Sequence, residues 1–106
     1  MLSFADFAKM ELKVATIESA EDVPGKDKLY KLSISLGEEK RILVAGIKQQ
    51  YSKEALVGRQ IIIVANLEPR KLAGIESQGM LLAADIDGKP VLLKPDVEVP
   101  DGSVVR

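Results

Sequence analysis

IIIVANLEPRKLAGIESQGM, residues 61–80, joins the most hydrophobic run of the chain to its longest polar connection. The first part, Ile61-Ile62-Ile63-Val64, is short, β-branched and preceded by Gly58, which reads as a buried strand over residues 60–65. The second part carries Asn66, Arg70, Lys71, Ser77 and Gln78 among the turn residues Pro69, Gly74 and Gly79. A polar connection of this length exceeds the usual four to six residues, and such connections tend to bind something.

Reading outward, the N-terminal side alternates with period two. Tyr30, Leu32, Ile34 and Leu36 alternate with Lys31, Ser33 and Ser35, and Gly37-Glu38-Glu39 turns the chain into a strand over residues 41–45. Before these, Met10, Leu12 and Val14 begin a first strand, whose phase shifts at Ala15 and Ile17 as a bulge would shift it. Residues 21–26 read as a loop. Between the third and fourth strands, residues 49–57 hold one short helix around Glu54-Ala55-Leu56, ended by Gly58. Residues 1–9 read as an N-terminal helix capped by Ser3, with Asp6 completing a capping box and Leu2 and Phe7 spaced as a staple.

On the C-terminal side, residues 80–84 and 90–93 are strands around the turn Asp85-Ile86-Asp87-Gly88. Residues 94–106 form an extended tail with apolar side chains on alternate positions. Five or six short strands with one small helix and no repeated βαβ unit predict an all-β domain over residues 1–106. The favoured fold is a five-stranded Greek-key barrel of the OB type with N- and C-terminal extensions; an SH3-like barrel is second.

Composition narrows the chemistry. The chain has 106 residues, no Cys and no His, so thiol nucleophiles, disulfides and the common zinc ligand sets are absent. No stretch is apolar enough for a signal or a membrane span, and a cytoplasmic protein is expected. The net charge of −1 does not announce a polyanion binder, so such a role requires charge segregation. The sequence permits this: Lys26, Lys28 and Lys31 form one basic group and Arg70 with Lys71 another.

The polar connection holds rather than reacts. Arg70 offers a planar fork for phosphate, Lys71 a mobile charge, Asn66 and Gln78 both donate and accept, and Ser77 beside Gly79 allows close backbone approach. No neighbour has the properties of a general base. Asp85 and Asp87 read as a solvated turn rather than a cation site, Glu68 and Glu76 as charges tempering the local field, and residues 24–28 match no phosphate-loop motif. With only Phe4, Phe7, Tyr30 and Tyr51 as aromatics, stacking on single strands is poorly supported. A folded RNA, recognised by backbone shape with one base against Met80, is the better target.

The order Asp6-Phe7-x-Lys9-Met10-x-Leu12-x-Val14-Ala15, then Asp27-Lys28-Leu29, then Val64-Ala65-Asn66-Leu67-x-Pro69-Arg70-Lys71-x-x-Gly74-x-x-Ser77-Gln78-Gly79-Met80 resembles the tRNA-binding domain family. The resemblance covers essentially the whole chain and is nearest to the C-terminal domain or free β subunit of methionyl-tRNA synthetase. It implies an OB-fold that grips the outer corner of folded tRNA without regard to sequence, assisting the synthetase without an active site, metal or cofactor of its own. By position it implies tRNA-binding roles for Lys28, Asn66, Arg70, Lys71, Ser77, Gln78, Gly79 and Met80. It further implies a homodimer built through residues 1–9 and 94–106, and a synthetase catalytic subunit as partner. Glu68, where many members carry a lysine or a neutral residue, departs from the pattern and implies a weaker positive field. The alternative within the same fold is a peptide-binding export chaperone.

Overall fold

The isoleucine run does form a buried strand, and the rest of the molecule is arranged around it. In the computed structural model, which describes all residues Met1–Arg106, β1 (Leu12–Val23), β2 (Lys26–Ser35), β3 (Lys40–Ala45) and β4 (Gln60–Val64) build one antiparallel sheet. After β4 come a small hairpin, β5 (Arg70–Leu72) and β6 (Ile75–Ser77), then β7 (Met80–Leu81), a second hairpin of β8 (Ala83–Ile86) and β9 (Lys89–Leu92), and finally β10 (Val104–Val105). The main sheet runs β3-β2-β1-β4-β7, with β10 added beside the start of β1. This is the meander and return strand expected of the OB barrel, with α2 (Lys53–Leu56) between β3 and β4.

The long β1 is buried on both faces where it lies against β4. Ala15 and Ile17 join Ile61, Ile63, Leu32, Ile34, Leu43 and Leu56 in the barrel interior, where Ile17, Ile61 and Ile63 have no exposed surface. Leu12 and Val14 face the other way and, with Ile62 and Val64, form a second apolar cluster covered by Phe7, Val99 and Val105. The phase change at Ala15 is therefore two-sided burial, since Leu12 to Thr16 pair with Val64 to Gln60 in unbroken register. The irregularity in β1 comes later, between Ile17 and Ser19, where its pairing with β2 shifts.

Two segments expected to be loops are instead paired. Residues 21–26 continue β1 and β2 to a tight turn at Pro24-Gly25, the residue pair a type II turn selects. Buried Val23 holds that end of the strand in place. Residues 70–77 fold into the β5–β6 hairpin, with Arg70 opposite Ser77, Lys71 opposite Glu76 and Leu72 opposite Ile75. Arms of three residues are too short to show a period, and Ala73-Gly74 makes the turn with Ala73 at φ 52°.

Both termini dock on the barrel. α1 (Phe4–Phe7) starts at Ser3, whose hydroxyl accepts from the Asp6 amide at 3.1 Å, while the Asp6 carboxylate meets Lys9 rather than returning to Ser3. The tail is laced to β1 and β4. Ser103 O accepts from Val14 N at 2.9 Å, Gly102 N donates to Val14 O at 2.7 Å, and Gln60 bonds both main-chain groups of Val99. At the other end, the turn over residues 85–88 forms as expected, with Gly88 N donating to Asp85 Oδ1 at 2.7 Å.

Candidate functional site

The backbone ladder does not run from β3 back to β7, yet β3 lies against β6 and β7. One main-chain bond and several side chains bridge that seam. Gln78 N donates to Ile42 O at 2.8 Å, and Gln78 Oε1 accepts from Ile42 N at 2.9 Å, so one glutamine imitates a ladder pair. Ser77 Oγ accepts from Val44 N at 3.1 Å and donates to Gly79 O at 3.1 Å. Arg41 completes the closure by donating to the carbonyls of Ala65 and Gln78, while its guanidinium holds the Glu39 carboxyl below the ordinary value. Buried main-chain donors without partners are costly, and these contacts remove that cost at the open edge of β3.

Gly79 lets the seam close. It sits at φ 130°, and a Cβ there would approach Val64 O to 3.0 Å and Leu43 Cδ2 to 3.4 Å. Asn66 is likewise engaged within the chain: its Oδ1 accepts from Glu11 N at 2.9 Å and its Nδ2 donates to Lys9 O at 2.7 Å. That clamp fixes the end of β4 against the start of β1.

The eight residues singled out from sequence thus divide. Arg70, Ser77, Gly79 and Met80 line one small cleft, together with Val44, Leu67, Glu68 and Leu72. Ser77 is buried in its floor, while Met80 is 47% exposed and so stands at its rim rather than in the core. Gln78 faces the opposite side of the seam, in a depression with Arg41, Ala65 and Pro69. Lys71 projects from the same hairpin arm as Arg70, exposed. Lys28 lies apart, beside Gly25, Lys26 and Asp27 in a shallow surface at the β1–β2 turn.

Charge at the hairpin is available to a ligand. The ion pairs of the molecule join Lys9 to Asp6, Lys40 to Glu18, Arg41 to Glu39, and Lys48 and Lys53 to Asp22. Arg70, Lys71 and Glu68 take part in none of them. Register extends the site across the sheet: Lys31 of β2 pairs with Val44 of β3, Val44 bonds to Ser77, and Ser77 pairs with Arg70. Sequence reasoning placed Lys31 only in a basic group and missed Val44, Leu67 and Leu72. With arms too short to show a period, the small-residue pair Ala73-Gly74 was the one local signal for the hairpin turn.

The tyrosines are committed to the fold. Tyr30 is buried and donates to Tyr51 O at 2.9 Å; Tyr51 Oη accepts from Leu92 N at 3.0 Å, and its ring lies 5.1 Å from the Arg59 guanidinium carbon. Both hydroxyls and the Tyr51 ring are thus engaged within the fold. No helix is long and apolar enough to cross a membrane.

The second surface of note lies at the termini. Phe4, Phe7, Met10, Leu12, Val104 and Val105 line an apolar groove of about 420 Å³. Phe4 is 83% exposed and Val104 62% exposed.

Residues 12–104 match the family model described as a putative tRNA binding domain. The chain is 54% identical over 106 residues to a methionine–tRNA ligase of Methanothrix thermoacetophila, and 52% identical over 105 residues to that of Pyrococcus furiosus. These matches cover 100% and 99% of the chain but only 16% and 14% of the two ligases. Among solved structures it is similar to a MetRS-related protein from Pyrococcus horikoshii, with a TM-score of 0.94, 39% identity, and coverage of 100% of this chain and 98% of that one. It is also similar to the chaperone CsaA of Bacillus anthracis, with a TM-score of 0.92, 32% identity, and coverage of 100% and 99%.

Proposed function

The chain belongs to the tRNA-binding domain family, and from that premise we propose that it is a non-catalytic cytoplasmic module that holds folded tRNA by the sugar-phosphate contour of its outer corner, on behalf of methionyl-tRNA synthetase. The observation that carries this reading is the pair Arg70 and Lys71, exposed, free of ion pairs and raised on a hairpin that Ser77 and Gln78 fasten to the barrel. A fixed base under mobile cations is what sequence-independent phosphate contact requires. Ser77 and Gln78 serve binding by fastening the hairpin to β3, and Asn66 by clamping the end of β4 to the start of β1. Lys28 and Lys31 extend the positive surface over β2.

One patch on a chain of net charge −1 binds weakly. The reading therefore includes a homodimer through α1 and the tail, with a second copy seated on the apolar terminal groove. Two patches on one rigid body gain avidity without any new contact. The groove supports this because it combines exposed Phe4, Met10 and Val104 with β10, which has β1 as its only strand partner.

Gel-shift titration with total tRNA, run beside a measured mass in solution, tests the proposal. Salt-sensitive binding by a species of twice the chain mass is the expected result; a monomer without tRNA affinity overturns it. The second reading is a peptide-binding chaperone, favoured by the likeness to CsaA and by the same apolar groove. It gains if unfolded polypeptide binds and tRNA does not displace it.

A further inference from the structure

Four aliphatic side chains and two unpaired charges of opposite sign face the cleft beside the hairpin. Its volume is about 120 Å³, well below the roughly 300 Å³ at which sites for drug-sized ligands begin. It admits one flat ring or one side chain. Leu67 and Met80, 43% and 47% exposed, supply uncovered apolar walls, backed by half-buried Leu72 and buried Val44. Ser77 Oγ below them is already used as donor and acceptor, and so offers the occupant little. The polar chemistry left over is a carboxylate, which only accepts, and a guanidinium, which only donates.

The geometry points to a single unstacked nucleobase of the bound RNA in this cleft, with guanine preferred, Glu68 accepting from its ring N–H and amino group and Arg70 meeting the adjoining phosphate. This deepens the tRNA-binding reading and rests on it. The two oxygens of a carboxylate match the two neighbouring donors of guanine. Adenine and cytosine present an amino group beside an acceptor nitrogen, and uracil presents one N–H between two carbonyls that repel Glu68. Unstacked bases are read on such edges throughout RNA recognition. An apolar peptide side chain would fill the walls but leave Glu68 and Arg70 without partners. Recognition of one base leaves the remaining sequence unread, which is compatible with contour binding elsewhere on the surface.

The experiment uses the full chain with carbon-13 labelled methionine methyl groups, titrated with total tRNA and separately with GMP, AMP, CMP and UMP. The Met80 methyl resonance is expected to move with tRNA and with GMP, and GMP to bind about tenfold more tightly than UMP. Glu68→Gln, at an exposed position, should reduce that ratio to about threefold or less while tRNA binding persists or strengthens, because a negative charge has left the site. If tRNA binds but Met80 stays still, or the four nucleotides bind equally, the base slot is wrong and the tRNA reading stands. Absence of any tRNA binding removes both. Movement of Met80 with an unfolded polypeptide but with no nucleotide overturns the slot in favour of a peptide site.

Discussion

Ile42 N and Gln78 Oε1 lie 2.9 Å apart, so a side-chain amide stands where a neighbouring strand's carbonyl would complete the sheet. Ser77 does the same for Val44 at 3.1 Å, two residues along the same edge. A short polar element thereby ties a barrel seam together from one side and presents cations from the other. In the proposed reading, fold and binding surface are coupled at residues 77–80, and substitutions in and beside this element separate the two roles.

Ser77→Ala leaves the Val44 amide without its acceptor in a buried position, which costs about 1–3 kcal/mol. Gln78→Ala acts at a more exposed point and should cost about 0.5–1.5 kcal/mol. Both are expected to lower the thermal midpoint. Below that midpoint the salt slope of tRNA binding should be unchanged, because neither side chain carries a charge to neutralise phosphate. A slope that changes without loss of stability would place these groups on the RNA instead.

Arg70 and Lys71 should behave in the opposite way. Exposed and unpaired, they carry little folding energy, so Arg70→Ala with Lys71→Ala leaves the thermal midpoint nearly unmoved. Each phosphate that is no longer neutralised should flatten the plot of log affinity against log salt by about 0.7–0.9. Titrations at four or five salt concentrations measure this directly.

Much of the fold was legible because its signals are local. The alternation from Tyr30 to Leu36, the β-branched run at Ile61 and the Asp-Gly turn at residues 87–88 each mark structure within a few neighbours. The candidate site was less legible. Asn66, Ser77 and Gln78 have the chemistry of RNA ligands, but whether an amide meets a ligand or its own backbone depends on what lies across the fold. Asn66 meets Glu11 at a separation of 55 residues, Ser77 meets Val44 at 33 and Gln78 meets Ile42 at 36. Two-sided burial misled in a related way: Leu12 and Val14 are covered by a tail some ninety residues distant, and their pattern imitates a bulge.

Ala73 occupies the first position of the hairpin turn at φ 52°, followed by Gly74 at φ 78°. This pair of positive angles is the type I′ arrangement, where Asn-Gly is preferred and alanine is strained. Ala73→Asn should raise stability by about 1 kcal/mol, a few degrees in thermal midpoint, and leave the charge of the hairpin unchanged. Unchanged or lower stability would show that the turn relaxes in solution.

Asp22 ties the end of β1 to Lys53 at 3.0 Å and Lys48 at 3.1 Å, and hydrogen bonds from those two lysines hold its carboxyl below the ordinary 3.8. Its contribution is present above that ordinary value and is lost as pH falls through the lowered one. Lys53, raised above 10.5 by Asp22, contributes below 10.5 and loses its share as pH rises through the raised value. The difference in urea midpoint between the protein and Asp22→Asn should therefore be flat near neutrality and shrink below pH 3.8. A difference that persists at pH 2 would assign the effect to packing.

Gly102 decides whether the tail can reach its place. It lies at φ 85°, its amide donates to Val14 O at 2.7 Å, and a Cβ there would stand 2.5 Å from Leu36 O. The neighbour is main chain, so it cannot swing aside as a side chain would. Gly58 provides the control, since its φ of 88° is nearly identical but nothing lies within 4 Å of a Cβ. Gly58→Ala carries only the left-handed cost of roughly 1–2 kcal/mol. Gly102→Ala adds overpacking of about 1–3 kcal/mol and should release residues 99–105 from β1 and β4. If the tail belongs to a dimer contact, the Gly102 variant loses half its mass in solution while the Gly58 variant keeps it. A Gly102 variant that remains dimeric with the stability of the Gly58 variant would show that the tail plays no part in assembly.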